Sequence, residues 1–179
     1  YKHFLGYKKG EDGRPAIVEE EASVVRLIYR LFLDGKTQAG ICRYLEDLSI
    51  PSPSGKAKWS KTTVTSILTN GKYKGDALLQ KSFTVDFLQK KTKLNEGEVP
   101  QYYVEGSHPA IIEPDEWDHV QAEFARRKAL GNVYSGKSVL SAKLVCEDCG
   151  GFFGSKVWHS TDCYRRTVWQ CNNKFKGGE

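Results

Sequence analysis

"GKTQAGICRYLEDLSIPSPSGKAKWSKTTVTSILTNGKYKG", from Gly35 to Gly75, holds two helix-sized apolar repeats separated by a segment that no helix can cross. The first opens at Thr37, a side chain suited to capping a helix N-terminus. Ile41, Tyr44, Leu45 and Leu48 follow at helical spacing and are predicted to point inward. "SIPSPSGKAKW" then breaks regular structure, because Pro51 and Pro53 push the residues before them into extended conformations. The second repeat starts at Ser60 and ends at Asn70-Gly71, with Val64, Ile67 and Leu68 as its inner face. Its outer face carries Thr62, Thr65, Ser66 and Thr69, with Lys61 beside the N-terminus. Short hydroxyl side chains let a helix approach a DNA groove closely and bond phosphates or base edges. Ordinary surface helices carry such faces too, and the long Pro/Gly connection departs from the tight turn of a helix-turn-helix.

Upstream, a helix is expected from Glu20 to Asp34, with Val24, Leu27, Ile28, Leu31 and Phe32 on one face. Glu19, Glu20 and Glu21 suit its positive end, and Gly35 is a natural stop. Downstream, Tyr73 to Phe87 reads as strand, Lys90 to Pro100 as a hairpin tip, and Tyr102, Tyr103 and Val104 as the returning strand. "HPAII" reads as a short strand. The following helix has Pro114 in its first turn, Trp117, Val120 and Phe124 inside, and Arg126, Arg127 and Lys128 at its end. The expected class is α+β: a helical N-terminal part with a small sheet and a further helix, then a small β-hairpin domain. The boundaries are a first domain over 1–130, a linker over 131–143 ("GNVYSGKS" within it), and a ribbon over 144–179.

Composition is that of an ordinary globular chain, with 39% hydrophobic and 27% charged residues. No apolar run approaches the ~20 residues a membrane span needs, so a membrane partner is not expected. The chain has no Met and begins at Tyr1, which reads as an excised fragment. Net charge is +5, and it is concentrated: Ser54 to Lys93 holds nine lysines against Asp76 and Asp86. A surface of that kind attracts a polyanion, although a solvated lysine-rich face fits the charge alone equally well.

Four of five cysteines fall between Cys146 and Cys171. Cys146-x-x-Cys149-Gly150-Gly151 has the form of a metal knuckle, whose glycines permit the turn that aims backbone amides at sulfur. "GFFGSKVWHS" and "YRRTVWQC" read as two strands meeting near Ser160, which sets Cys149 opposite Cys171 and so returns Cys171 to the knuckle. Cys163 then lies near the tip, roughly 26 Å along the strand from Cys171, too far to share one ion if the strands are regular. His159 is set aside for the same reason. The metal ligands are thus Cys146, Cys149 and Cys171, with a fourth expected beyond Glu179; a tightly folded C-x2-C-x13-C-x7-C site using Cys163 is the competing set. The implied cofactor is structural zinc, expected to be absent or under-occupied where only three ligands are present. Cys42 reads as a small packed residue.

The Gly35–Gly75 stretch resembles the recombinase domain of large serine recombinases, the serine integrases and transposon resolvases of bacterial mobile elements. Ile41, Leu45, Ile50, Pro51, Pro53, Gly55, Trp59, Ser60, Val64, Ile67, Leu68, Asn70, Tyr73 and Gly75 carry the likeness in order and spacing, joined by "HPAII", Trp117 and the Cys146/Cys149 knuckle. The resemblance implies a bacterial cytoplasmic parent enzyme that cuts and rejoins DNA through a covalent serine–DNA intermediate and assembles as a dimer or tetramer through domains outside this chain. Nothing here resembles the catalytic serine domain, so no catalytic residue is expected. The family pattern also places a fourth zinc cysteine after the third. The expected partner is a double-stranded attachment-site half-site. Candidate contacts are Lys56, Lys58, Lys61, Lys72 and Lys74 for phosphates, Thr62, Thr65, Ser66 and Thr69 for base edges, and Lys137, Lys143, Arg165 and Arg166 in the linker and ribbon. A protein-interaction module with a structural zinc ribbon is the alternative. A zinc hydrolase needs an open zinc position and a general base, against which a thiolate-rich knuckle argues.

Overall fold

The computed structural model describes residues 4–174 except 12, 87, 90, 131–137 and 139. An antiparallel hairpin, β1 (Tyr7–Lys9) and β2 (Pro15–Ile17), leads into α1 (Glu19–Leu33). Then come α2 (Gln38–Asp47), α3 (Lys61–Thr69) and a one-turn 3-10 helix (Gly71–Lys74). β3 (Ala77–Leu79) pairs with β6 (Tyr102–Val104), and between them β4 (Ser82–Asp86) pairs with β5 (Lys91–Leu94). α4 (Pro114–Leu130) returns to the body, and β7 (Phe153–Trp158) pairs with β8 (Arg166–Cys171). The expected mixed class is the one observed.

One core joins the four helices and the first hairpin. Ala22, Val25, Ile28, Tyr29 and Phe32 of α1 are fully enclosed, together with Ile41, Leu45, Val64, Leu68 and Val120. Val24 and Leu27, expected at the centre of the α1 face, lie at its partly buried margin. α1 ends at Gly35, whose φ of 93° lets the Gly35 and Lys36 N–H groups donate back to Phe32 and Leu31. Arg127 seals the same end. Its guanidinium is buried over the Phe32 ring and donates to the Phe32 and Lys36 carbonyls and to Glu123.

α2 is capped as expected, the Thr37 hydroxyl accepting from Gly40 N–H at 3.2 Å. Its inner face is Ile41, Cys42 and Leu45. Tyr44 and Leu48 face outward instead. Two reasons are local: Lys36 lies over the Tyr44 ring, and Leu48 is the cap residue where the chain leaves the helix. The Pro-rich segment is irregular but anchored, because Trp59 donates from its backbone to Glu46 and from its indole to the Ile50 carbonyl.

Several sequence expectations shift beyond α3. Tyr73 sits in the 3-10 turn, buried, with its hydroxyl donating to Leu5 O, and is not in a strand. Gly75 follows at φ 93°, where an added Cβ would meet the His108 carbonyl at 2.8 Å. His108–Ile112 forms no strand; the Ile111 and Ile112 N–H groups both bond Tyr73 O. The expected tip at Lys90–Pro100 contains β5 and a kink at Asn95, so the ribbon turns earlier, between β4 and β5. Phe87 and Lys90 lie outside the described residues, as does most of the expected linker. The end of that linker is a turn whose Ser141 and Ala142 are buried, with Arg126 donating to Ala142 O.

Candidate nucleic-acid interface and metal centre

α3 is built to be held on one side and open on the other. Ser60 caps it, accepting from Thr63 N–H at 3.0 Å. At the far end Tyr29 donates to the Ile67 and Leu68 carbonyls and Gln121 to that of Leu68, so groups of α1 and α4 fix the helix terminus from within. Val64, Ile67 and Leu68 are buried, while Thr62, Ser66 and Thr69 are exposed and Thr65 is half-buried. The Thr69 hydroxyl donates to Thr65 O, which leaves its oxygen as an acceptor. Thr62, Ser66 and Asn70, four residues apart in turn, line one groove of about 340 Å³ with Pro53 and Phe4. Asn70 was missed as a groove residue; its spacing from Ser66 is the signal that could have found it. Its Oδ1 is committed to Lys72 N–H.

Lys56, Lys58 and Lys61 are exposed around the start of this helix. Lys72 is half-buried, its Nζ 5.2 Å from the Phe4 ring centroid. Lys74 differs: it pairs with Asp76 at 3.1 Å and lies over the Trp117 ring. Asp76, buried, also accepts from the Tyr103 hydroxyl and from Gly106 N–H. Burial opposes ionisation of Asp76, but those donors hold its carboxyl below the ordinary value. Lys74 therefore works mainly in fastening β3 and β6 to the body. Lys143, Arg165 and Arg166 are exposed, and Lys137 lies outside the described residues.

Cys146, Cys149 and Cys171 come together, though by a register other than the expected one. Phe153, and not Cys149, lies opposite Cys171, because the β7–β8 hairpin centres on Asp162, two residues beyond Ser160. The knuckle folds back across this offset through Gly150 at φ 65°, with Gly150 N–H donating to Cys146 O and Cys146 N–H to Gly151 O. The sulfurs of Cys146, Cys149 and Cys171 all lie within 4.8 Å of one another, and Cys149 and Cys171 are 3.3 Å apart. Cys163 and His159 belong to the opposite end of the hairpin, where His159 bonds Asp162. The Gly151 backbone N–H, then the Cys171 thiol, hold the Cys149 thiol below its ordinary value, and Asn173 N–H donates to the Cys171 sulfur. Three converging free thiols with amide donors fit a thiophilic tetrahedral ion such as zinc.

Residues 19–127 match the family described as Recombinase. This chain belongs to that family. Aligned over 187 residues, it is 27% identical to a Bacillus subtilis (strain 168) protein named "Putative DNA recombinase", covering 97% of this chain and 37% of the relative. Two solved structures share the fold at 24% identity. "Crystal Structure of a LSR-DNA Complex" superposes at a TM-score of 0.52, over 95% of this chain and 47% of that one. "Sequence Requirements of the Listeria innocua prophage attP site" gives 0.51, over 97% and 65%. The recombinase chain thus spans well under half of the curated relative and about half to two thirds of these solved chains. The recombinase family read from its motifs is the one that the family match shows. Among the described residues, no helix is long and apolar enough to cross a membrane.

Proposed function

We propose that this chain is a double-stranded DNA-binding portion of a site-specific serine recombinase, with strand cleavage and rejoining performed by a serine elsewhere in the parent protein. The observation that carries this reading is α3, clamped at its buried carbonyl end while it exposes Thr62, Ser66 and Thr69 beside Lys56, Lys58 and Lys61. Groove reading needs that combination of a fixed backbone, short hydrogen-bonding side chains and flanking cations. The kinship to a recombinase–DNA complex supports it.

In this reading Lys56, Lys58, Lys61 and Lys72 meet phosphates, and Thr62, Thr65, Ser66 and Thr69 face the bases of an attachment-site half-site. Lys137, Lys143, Arg165 and Arg166 extend the contact along the duplex. Zinc on Cys146, Cys149 and Cys171, with a fourth donor from beyond Glu179, folds the ribbon and takes no part in strand chemistry.

Fluorescence anisotropy on labelled duplexes across roughly 50–200 mM salt tests the reading. Each exposed lysine changed to Ala should weaken all duplexes similarly and reduce the salt slope by about one. Lys74, engaged by Asp76, should change the slope less. Unchanged slopes for Lys56, Lys58, Lys61 and Lys72 would remove this patch from the interface, and indifference to every duplex would favour a protein-interaction module.

A further inference from the structure

β4 and β5 make their main contacts with each other, and their ribbon carries the most exposed large hydrophobic side chain among the described residues: Leu88, at the turn, is 91% exposed. Val85 beside it is 60% exposed. The ribbon is not loosely hung. Asn95, 6% exposed in otherwise open structure, donates from its side chain to Gln80 O and Val99 O and accepts from Gly97 and Val99 N–H. A fully satisfied amide at the kink fixes the direction in which the outer strands leave.

Charge and position indicate what they meet. Glu96 and Glu98, at the kink, are drawn to Lys93. Lys81, just before β4 at the base of the ribbon, and Lys91, at the outer end of β5 opposite Asp86, are both exposed. At the root, Lys81, Leu78 and Tyr103 line one cavity of about 200 Å³ with Thr69, Asn70 and Lys72. The ribbon therefore departs directly beside the outer face of α3.

We propose that the β4–β5 ribbon is a DNA arm that follows the duplex read by α3, places Leu88 as an apolar wedge at a minor-groove base step, sets Lys91 against a phosphate flanking that step, and sets Lys81, at the root, against a phosphate nearer α3. It rests on the DNA-binding reading above. Apolar side chains wedged into the minor groove partly unstack a base step and kink the duplex toward its major groove, away from the inserted side chain. A protein-docking face would instead be depleted of lysine at its centre.

The test uses the full chain and duplexes carrying 2-aminopurine at successive steps beside the bound site. Binding should raise the probe's fluorescence at one step. Leu88→Ala should abolish that rise and weaken affinity by about three- to tenfold, and Lys91→Ala should lower the salt slope by about one. Wild-type affinity and an unaltered fluorescence rise in Leu88→Ala would overturn the arm. So would loss of self-association in sedimentation with DNA binding untouched, which would make a second copy the ribbon's partner. If the unmodified chain binds no duplex, the DNA-binding reading itself falls, and the arm with it.

Discussion

Ser49 ends α2 with φ 54°, a left-handed conformation that costs a residue other than glycine roughly 1 kcal/mol. The turn it makes is the one Gly35 makes after α1: Ser49 N–H donates to Glu46 O and Ile50 N–H to Leu45 O. Ser49→Gly should therefore raise stability by about 1 kcal/mol in urea unfolding, offset in part by greater freedom of the unfolded chain. Arg127 is the opposite case. Removing its guanidinium strands the Phe32 and Lys36 carbonyls and leaves Glu123 to Arg126 alone, and Arg127→Leu should cost about 3 kcal/mol. Burial alone would raise the Glu123 carboxyl, but Arg126 and Arg127 hold it at about 2, down from 4.5. A lowered carboxylate stabilises the fold fully above its unfolded value, and that contribution is lost as pH falls from 4.5 toward 2. The stability of the parent chain should decline over that window, and Arg127→Leu should flatten the decline. An equally steep decline in the variant would assign the acid sensitivity to other carboxylates.

At the scale of elements, α3 was legible because several signals agree: the Ser60 cap, the Val64, Ile67 and Leu68 stripe, and the Asn70-Gly71 end. α2 was legible in extent but not in facing. Its pattern admits Tyr44 and Leu48 on the inner side, whereas in the packed structure those two face outward and Cys42, read as a small packed residue, is the one buried there. Three-residue strands carry no readable period, so β1 and β2 were invisible, as was the early turn of the outer ribbon. The cysteine hairpin was legible through the knuckle spacing, although its register was not, because a fold-back through Gly150 cannot be counted along a strand. It has a direct check. Cys171→Ser should reduce bound zinc and the thermal stability of the ribbon, whereas Cys163→Ser should leave both unchanged. Equal loss in both variants, read by metal content, would restore the competing ligand set.

For the whole molecule, the concentration of lysine between Ser54 and Lys93 now falls into separate roles. Lys74 fastens, Lys93 neutralises Glu96 and Glu98, and Lys56, Lys58 and Lys61 stand open around α3. Net charge alone could not make that division. Sequence-independent attraction should survive changes to the hydroxyl face, while selectivity should not. The measurement that tests this most directly is selection from a pool of random duplexes by the unmodified chain and by a Thr62→Ala/Ser66→Ala variant. The unmodified chain should enrich one motif, and the variant should lose discrimination worth about 1–3 kcal/mol at adjacent base positions while keeping its salt slope. The same motif recovered at full strength by both chains would contradict the assignment of α3 as the reading helix.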